Sequence, residues 1–238
     1  MRSDRYIASV HYFVLMIVPF NFQRDPYLIL NFSATNPDLI TLDLTDTASF
    51  TDYVVGKLRI ACAKVGVGGY NEHRIIYRRS EHFQQQEQTP NDRYRTGAEP
   101  REIHLGIDFW ADAGMPVFAP LDGFVHSFQD NANFGDYGPT IILEHDTTNG
   151  KLYSLYGHLT RSSLNDLYDG KPFLAGEKMA EIGPYPENGD WPPHLHFQLM
   201  TNMLGLRGDF PGVCSVADRE KFLAICPDPN TLLQIPGL

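Results

Sequence analysis

The sequence contains little cysteine: only Cys62, Cys214 and Cys226 occur in 238 residues, and no two of them form a C-x-x-C pair. An odd count without paired spacing excludes a disulfide framework and a cysteine-based zinc site. Cys214 and Cys226 can bond to each other in an oxidising compartment. We expect reduced, buried thiols instead.

Basic residues are also scarce, with 19 Lys and Arg against 29 Asp and Glu, and the formal net charge is −10. Such a chain lacks the general positive field through which proteins bind nucleic acid or anionic membranes, so we expect no nucleic-acid partner. The same charge disfavours attraction to a polyanionic cell wall. A substrate of that kind must therefore be recognised locally, in a groove.

Long apolar runs are lacking as well, and we expect no transmembrane segment. The apolar run at residues 12–20 is too short for a membrane span, although it has the length of a secretory core region. No small-x-small cleavage site follows it in residues 21–25. We therefore predict a buried, uncleaved strand, and the compartment stays open.

Glycine and proline are plentiful, with 20 and 17 residues, which is typical of a protein made of short strands and many turns. One helix is predicted from a cap at Asp46 or Thr47 to a C-terminal glycine at Gly66. A second, short helix is expected at 161–168. Strand composition or alternation marks the segments 27–32, 39–44, 124–128, 140–145, 152–156 and 176–183.

Two histidine motifs about ninety residues apart, HLGID at 104–108 and HLH at 194–196, are separated by a lone histidine, His158. Alternate side chains of a strand share a face, so His104 and Asp108 project together, as do His194 and His196. Apolar residues alternate with these groups, which predicts a wet ligand face over an apolar face. A catalytic zinc takes three such ligands and leaves its fourth position to water, so two of these five residues are surplus.

These motifs resemble those of the lysostaphin-type (LytM-like) zinc endopeptidases, which cut peptide cross-links in bacterial peptidoglycan. The resemblance covers about residues 102–200 and includes the Gly- and Pro-containing stretch at 114–125. It implies one zinc ion per chain, held by His104, Asp108 and His196. It further implies that His158 and His194 are catalytic histidines that do not bind the metal.

The resemblance implies a mainly β fold, with a small antiparallel β-sheet/barrel-sandwich hybrid catalytic domain and an α+β N-terminal segment. Residues 81–101 are polar, with few apolar side chains to offset the entropy of ordering, and are predicted to be a linker or long loop. The predicted division is therefore an N-terminal segment at 1–80, this linker, a zinc peptidase core at 102–205, and a tail at 206–238 that packs on the core.

The function implied by the resemblance is a zinc metalloendopeptidase acting on peptides, specifically the cross-links or stem peptides of peptidoglycan, in the periplasm or outside the cell. A non-catalytic binding or activator module of the same fold is one alternative. A cytosolic zinc hydrolase with another substrate is the second. Two departures from the family pattern bear on the substrate: the stiff Trp191-Pro192-Pro193 rim, and Gln198 in place of an acidic residue.

The loop GVGGYNEHR at 66–74 is predicted to be a flexible turn that shapes one wall of the groove. In the alternative, a side chain at 71–74 reaches the groove to bind substrate or to plug the metal, as an asparagine does in latent members of the similar family. Asn71 and His73 are the candidates in this loop. Tyr156 and Trp191 are further candidates for contacting substrate, whereas His126 and His145 are expected to be surface or structural residues.

Overall fold

The computed structural model describes residues 16–84 and 99–238. Its helices are α1 Thr47–Ile60, α2 Glu81–Gln84, α3 Arg219–Leu223 and α4 Asn230–Leu233, and short 3-10 helices lie at Pro37–Ile40, Ile76–Arg79 and Arg161–Leu164. Its strands are β1 Tyr27–Leu30, β2 Val65–Gly68, β3 Arg101–His104, β4 Ile107–Trp110, β5 Pro116–Phe118, β6 Gly123–Asn131, β7 Gly138–Thr147, β8 Gly150–Gly157, β9 Pro172–Phe173, β10 Lys178–Glu181, β11 His194–Met200 and β12 Val213–Ser215. The fold is mainly β, as predicted.

One large sheet positions the two histidine motifs, with strand order β1-β2-β4-β11-β8-β7-β6-β9. β1 and β2 are parallel, and the other neighbouring strands of this sheet are antiparallel. β4 and β11 lie inside the sheet, and their register places Asp108 opposite His196 and Trp110 opposite His194. Because each of these strands is hydrogen-bonded on both sides, the backbone below the motifs is fixed.

The N-terminal segment joins this sheet directly. β2 pairs with β4, with Gly68 opposite Asp108, so residues 65–68 form a strand where the sequence predicts a flexible turn. The side chains of Val65 and Val67 are fully buried in the main core. A division of the chain near residue 100 therefore separates two parts of a single sheet.

The helix α1 begins as predicted but ends early. Asp46 is its N-cap and accepts a hydrogen bond from the backbone N–H of Ser49. The helix ends at Ile60 because Cys62 adopts a left-handed conformation, with φ of 51°, and turns the chain toward β2. Gly66, the predicted C-terminal glycine of the helix, lies in β2 instead.

The strand predicted at 39–44 is wrong. The chain forms the 3-10 helix Pro37–Ile40 followed by turns, because Pro37 favours the first helical position and the Asn36 side chain caps the backbone N–H of Asp38. The helix expected at 161–168 is limited to the 3-10 helix Arg161–Leu164. The strands predicted at 124–128, 140–145 and 152–156 are confirmed as parts of β6, β7 and β8, and the strand predicted at 176–183 is limited to β10, Lys178–Glu181.

The apolar run at 12–20 is only partly described, since residues 12–15 lie outside the described part of the chain. Ile17, Val18 and Phe20 are buried in the main core, as expected. They form bends and not a strand, although the carbonyl of Ile17 accepts a hydrogen bond from the backbone N–H of Phe118. No helix among the described residues is long and apolar enough to cross a membrane.

Both faces of the sheet are covered around the two motifs. Every residue of β11 is buried, so the wet face predicted from the alternation is wrong. The side of the sheet that carries the histidines packs against aromatic residues, among them Phe50 and Tyr77 of the N-terminal segment and Trp191. The N-terminal segment therefore shields the predicted metal site from solvent.

The end of the chain packs against the strand that leads into the first motif. β12 pairs with β3, with Val213 opposite His104. Phe222 and Cys226 are buried in a third apolar cluster with Ile103. Cys214 and Cys226 are free, buried thiols, and burial raises the pKa of each to about 12, so both are protonated at neutral pH.

Candidate metal centre

Three of the predicted site residues bring one ligand atom each to a common point. His104 Nε2 lies 3.0 Å from His196 Nδ1, and Asp108 Oδ1 lies 3.2 Å from the first atom and 3.1 Å from the second. Ligand atoms at ordinary zinc distances in a tetrahedron are about 3.3 Å apart. The three side chains are almost fully buried, and their spacing fits a zinc ion.

The hydrogen bonds on the outer sides of the two imidazoles determine which nitrogens carry protons. His104 Nδ1 donates to the carbonyl of Gly69 at 2.9 Å, which leaves its Nε2 as a lone pair. His196 Nε2 donates to Oε1 of Gln198 at 3.0 Å, so its Nδ1 is a lone pair as well. With the carboxylate of Asp108, three acceptors converge, and no donor of the described residues lies between them, an arrangement that suits a cation.

The first motif is not the single strand that its alternation predicts. β3 ends at His104 and β4 begins at Ile107, because β3 pairs with β12 while β4 pairs with β2 and β11. Gly106 lies in the break. A Cβ there would lie 2.7 Å from Cε1 of His196, so the glycine lets the imidazole ring lie against the backbone.

The other two predicted histidines lie beside the three candidate ligands, and both have Nδ1 bound to a backbone carbonyl. His158 Nδ1 donates to the carbonyl of Asn188 at 2.7 Å, and His194 Nδ1 donates to that of Pro192 at 2.8 Å. Their ring centroids are 4.1 Å apart, and each ring keeps Nε2 as an unprotonated base. Burial lowers the pKa of His194 to about 4 and holds the pKa of His158 well below its usual value, so both are neutral at pH 7.

Local structure fixes the orientation of these two rings. His194 stacks on Trp110, its partner across the β4–β11 pair, with centroids 4.0 Å apart and an interplanar angle of 10°. His158 follows the last residue of β8 and adopts a left-handed conformation, with φ of 62°. A non-glycine residue in this region is uncommon and is held there by its surroundings.

Arg74 belongs to the site, although no sequence pattern distinguished it from its neighbours in the loop. Its buried guanidinium donates from Nη1 to Asp108 Oδ2 at 2.5 Å, from Nε to Glu72 Oε2 at 2.7 Å, and from Nη2 to the carbonyl of Gly69 at 3.1 Å. Burial opposes the charge on Asp108, but His104 and Arg74 hold the pKa of this carboxyl well below its usual value. The sequence feature that could have pointed to Arg74 is Gly68. A Cβ at this position would lie 2.5 Å from Arg74 Nη2, so the glycine leaves room for the guanidinium.

The other predicted loop residues lie away from the three ligands. Oδ1 of Asn71 accepts a hydrogen bond from Nε of Arg219 at 2.8 Å, and the exposed ring of His73 pairs with Glu102 at 2.7 Å. The Asn71 plug is therefore not the arrangement that the structure shows. The loop forms a wall instead, because its backbone at Asn71 and Glu72 hydrogen-bonds to that of His104.

Of the two further candidates for contacting substrate, Trp191 lines the site and Tyr156 does not. Tyr156 lies in the main core, where its hydroxyl accepts a hydrogen bond from Ser154, and it does not line the site. Trp191 is buried beside two of the histidines, with its ring centroid 6.1 Å from that of His158 and 6.0 Å from that of His194. It forms a buried inner wall of the site where the sequence predicts a stiff rim beside the metal.

A cavity of about 730 Å³ adjoins the site. Asp108, His158, His194 and His196 line one part of it, so two of the three candidate metal-binding residues and the two other histidines open into the same space. Tyr77, Arg79, Phe134, Tyr137 and Trp191 line the remainder together with other residues. The volume lies within the range of about 300–1,000 Å³ that is usual for small-molecule sites.

The part of the chain that carries these residues is similar to known proteins. Residues 102–206 match the family model described as Peptidase family M23. The chain is 26% identical over 212 residues to an uncharacterized metalloprotease of Haemophilus influenzae, covering 77% of this chain and 42% of that protein. It therefore spans about two fifths of the length of this relative.

Two solved structures are also similar. The catalytic domain of the antimicrobial peptidase lysostaphin from Staphylococcus simulans is 25% identical with a TM-score of 0.38, covering 56% of this chain and 80% of that one. The catalytic domain of a mutant of EnpA, a prophage-encoded M23 protein from Enterococcus faecalis, is 24% identical with a TM-score of 0.36. That match covers 47% of this chain and 80% of the other.

Proposed function

We propose that this protein is a zinc metalloendopeptidase of the lysostaphin type that hydrolyses peptidoglycan cross-links or stem peptides. The match of residues 102–206 to the model of peptidase family M23 and the similarity to a metalloprotease support this proposal. The convergence of His104 Nε2, Asp108 Oδ1 and His196 Nδ1 on one point supports this proposal most directly. No donor of the described residues separates these acceptors. A single ion per chain would satisfy all three.

These three residues would hold the zinc ion, and their outer partners keep them in the binding form. The carbonyl of Gly69 fixes the tautomer of His104, and Gln198 fixes that of His196. Arg74 occupies the second oxygen of Asp108, which leaves the first oxygen for the ion. When bound, zinc lowers the pKa of water and polarises an amide carbonyl.

His158 and His194 would move the protons of the reaction. Both are neutral bases at pH 7, with Nε2 unprotonated beside the cavity. Either ring can accept a proton from the attacking water and, once charged, donate it to the departing amine nitrogen. Two imidazolium ions with centroids 4.1 Å apart would repel each other, so the pair takes up one additional proton at a time.

The cavity supports a peptide substrate that is bound by local contacts. Its aromatic walls, which include Tyr77, Phe134 and Trp191, offer apolar surface and stacking faces. The chain has a net charge of −10, so general electrostatic attraction to a polyanionic cell wall does not contribute to substrate binding. Recognition would depend on the short part of the peptide that enters the cavity.

A non-catalytic binding module is disfavoured by the fixed tautomers. Binding alone requires neither three metal-binding acceptors nor two further bases beside them. A zinc hydrolase with a substrate other than peptidoglycan is the second candidate. The four histidines of the site are buried beneath the N-terminal segment, which supports this candidate. A covered site is harder for a polymeric substrate to reach than for a small one.

The test uses zinc-loaded protein and purified cross-linked muropeptides, with new termini identified by mass spectrometry. We expect new amino and carboxyl termini at one type of amide bond, and none with His104→Ala. Cleavage of a soluble peptide library with the muropeptides left intact would favour the second candidate. If the zinc-loaded protein cuts neither, the enzyme proposal is wrong.

A further inference from the structure

Arg79 is a buried cation that forms no ion pair in the part of the chain that the structure describes. It ends the 3-10 helix Ile76–Arg79, and its side chain lines the cavity beside the candidate metal centre. Only 4% of the residue is exposed, and Asp190 and Asp46, whose charges raise its pKa from a distance, do not form an ion pair with it. Burying a charge in this way is costly unless a partner compensates it.

The hydrogen bonds of Arg79 are also incomplete. Nη2 donates to Thr47 Oγ1 at 2.7 Å and to the carbonyl of Asp190 at 2.9 Å. Nε and Nη1 are buried and have no partner among the described residues, so three N–H bonds remain available. Two other residues that line the same cavity also have buried groups without a hydrogen-bond partner among the described residues: Nε1 of Trp191 and the hydroxyl of Tyr137.

Aromatic rings hold the guanidinium in place. Its Cζ atom lies 4.5 Å from the ring centroid of Trp191, 5.0 Å from that of Phe134 and 5.7 Å from that of Phe50. Burial lowers the pKa of Arg79 to about 10, so the group is still charged at neutral pH. The cavity therefore presents a fixed positive charge surrounded by unused donors.

The position of Arg79 relates this charge to the reaction. Trp191 contacts both groups: Cζ of Arg79 lies 4.5 Å from its ring centroid, and the ring centroid of His158 lies 6.1 Å from it. An extended peptide advances about 3.3–3.6 Å per residue. A group bound to Arg79 would therefore belong to a residue within about three positions of the scissile amide.

We infer that Arg79 binds a carboxylate of the substrate, and that the enzyme prefers peptides with a free carboxylate within about three residues of the bond it cuts. This inference rests on the proposed peptidase function. A carboxylate only accepts hydrogen bonds, so it matches a cavity wall whose unused groups are donors. It also supplies a negative charge in direct contact with Arg79. Hydrogen bonds between charged groups are stronger than those between neutral groups.

The test compares one muropeptide whose carboxylates are free with the same muropeptide converted to carboxamides. kcat/KM is measured for both with zinc-loaded wild type, Arg79→Gln, and the neighbouring control Arg78→Gln. Arg78 is exposed and pairs with Glu102, outside the cavity. We expect the wild type and Arg78→Gln to prefer the free acid by roughly 10- to 100-fold, and Arg79→Gln to lose this preference.

A structural role for Arg79 would produce a different result. If Arg79→Gln lowers kcat/KM equally for both muropeptides, or if the wild type has no preference, the inference is wrong. If the wild type cuts neither muropeptide, the proposed function fails, and calorimetric binding of the same pair to zinc-loaded protein decides the inference separately. A dissociation constant lower for the acid in wild type but not in Arg79→Gln would support it, and equal constants in wild type would overturn it.

Discussion

Arg74 donates a 2.5 Å hydrogen bond from Nη1 to Oδ2 of Asp108, whose other oxygen faces His104 and His196. The two oxygens of one carboxylate are thus divided between a guanidinium from the N-terminal segment and the candidate metal position. This segment also supplies the strand next to Asp108 and a wall beside His104. It is therefore part of the site.

Arg74→Lys should weaken zinc binding by about 10- to 100-fold. Lysine keeps the positive charge but cannot bond to both Glu72 and Asp108 with a fixed fork, so Asp108 loses its fixed orientation. Zinc affinity is measured by competition with a chromophoric chelator, and Arg78→Lys serves as the exposed control. Equal affinity of Arg74→Lys and wild type would show that Arg74 does not position Asp108.

Gly68→Ala should lower the free energy of unfolding by about 1–3 kcal/mol, because the added Cβ lies 2.5 Å from Arg74 Nη2 and 3.2 Å from Trp110 Nε1. Arg74 is buried and hydrogen-bonded, so it cannot move aside freely. Gly69→Ala is the matched control, since nothing lies within 4 Å of its Cβ. Urea denaturation compares the two, and equal effects would contradict this packing.

His158→Ala and His194→Ala should retain zinc but lose about two to four orders of magnitude in turnover, since each removes a proton-transfer group. His104→Ala should lose the metal itself. Zinc content after gel filtration and initial rates on the cleavable substrate separate the two classes. The division into ligands and bases would be wrong if all three variants bound zinc equally well.

The stability of the fold should depend on pH through His145, which bonds to the carbonyl of Asp122 at 2.8 Å and to Ser154 at 2.7 Å. Burial lowers the pKa of His145 below 6.5, although Asp122 and Glu144 raise it in part. The unfolded chain therefore takes up the proton first, so this stability is present above about pH 6.5 and is lost as the pH falls toward the lowered pKa.

Urea denaturation of wild type and His145→Asn at pH 7.5 and pH 5.5 checks this dependence. The variant should be less stable than wild type at pH 7.5 but should lose less of its stability on acidification. An identical loss in the two proteins would remove His145 as a source of the pH dependence.

The sequence predicted the features that depend on neighbours close in the chain. The composition and alternation of 124–128, 140–145 and 152–156 identified three strands of the sheet, and Asp46 capped its helix as expected. The same alternation failed at 39–44, where the local chemistry of Asn36 and Pro37 produced a 3-10 helix. Short-range hydrogen bonds decided the two helical outcomes.

Contacts between distant parts of the chain were harder to predict. Arg74 and Asp108 meet because β2 pairs with β4, and the wet face is absent because Phe50 and Tyr77 cover it. Tyr156 precedes His158 by two residues and would share its face in a regular strand. However, β8 ends at Gly157 and the left-handed turn at His158 redirects the imidazole, so Tyr156 faces the core.

The position of the metal tests the account most directly. Crystals of the zinc-loaded protein, measured at the zinc absorption edge, should show one anomalous peak per chain, about 2.0–2.2 Å from His104 Nε2, Asp108 Oδ1 and His196 Nδ1. His158 and His194 should lie outside the coordination sphere. A peak bound to His194 in place of His196, or no peak with equimolar zinc, would contradict the account.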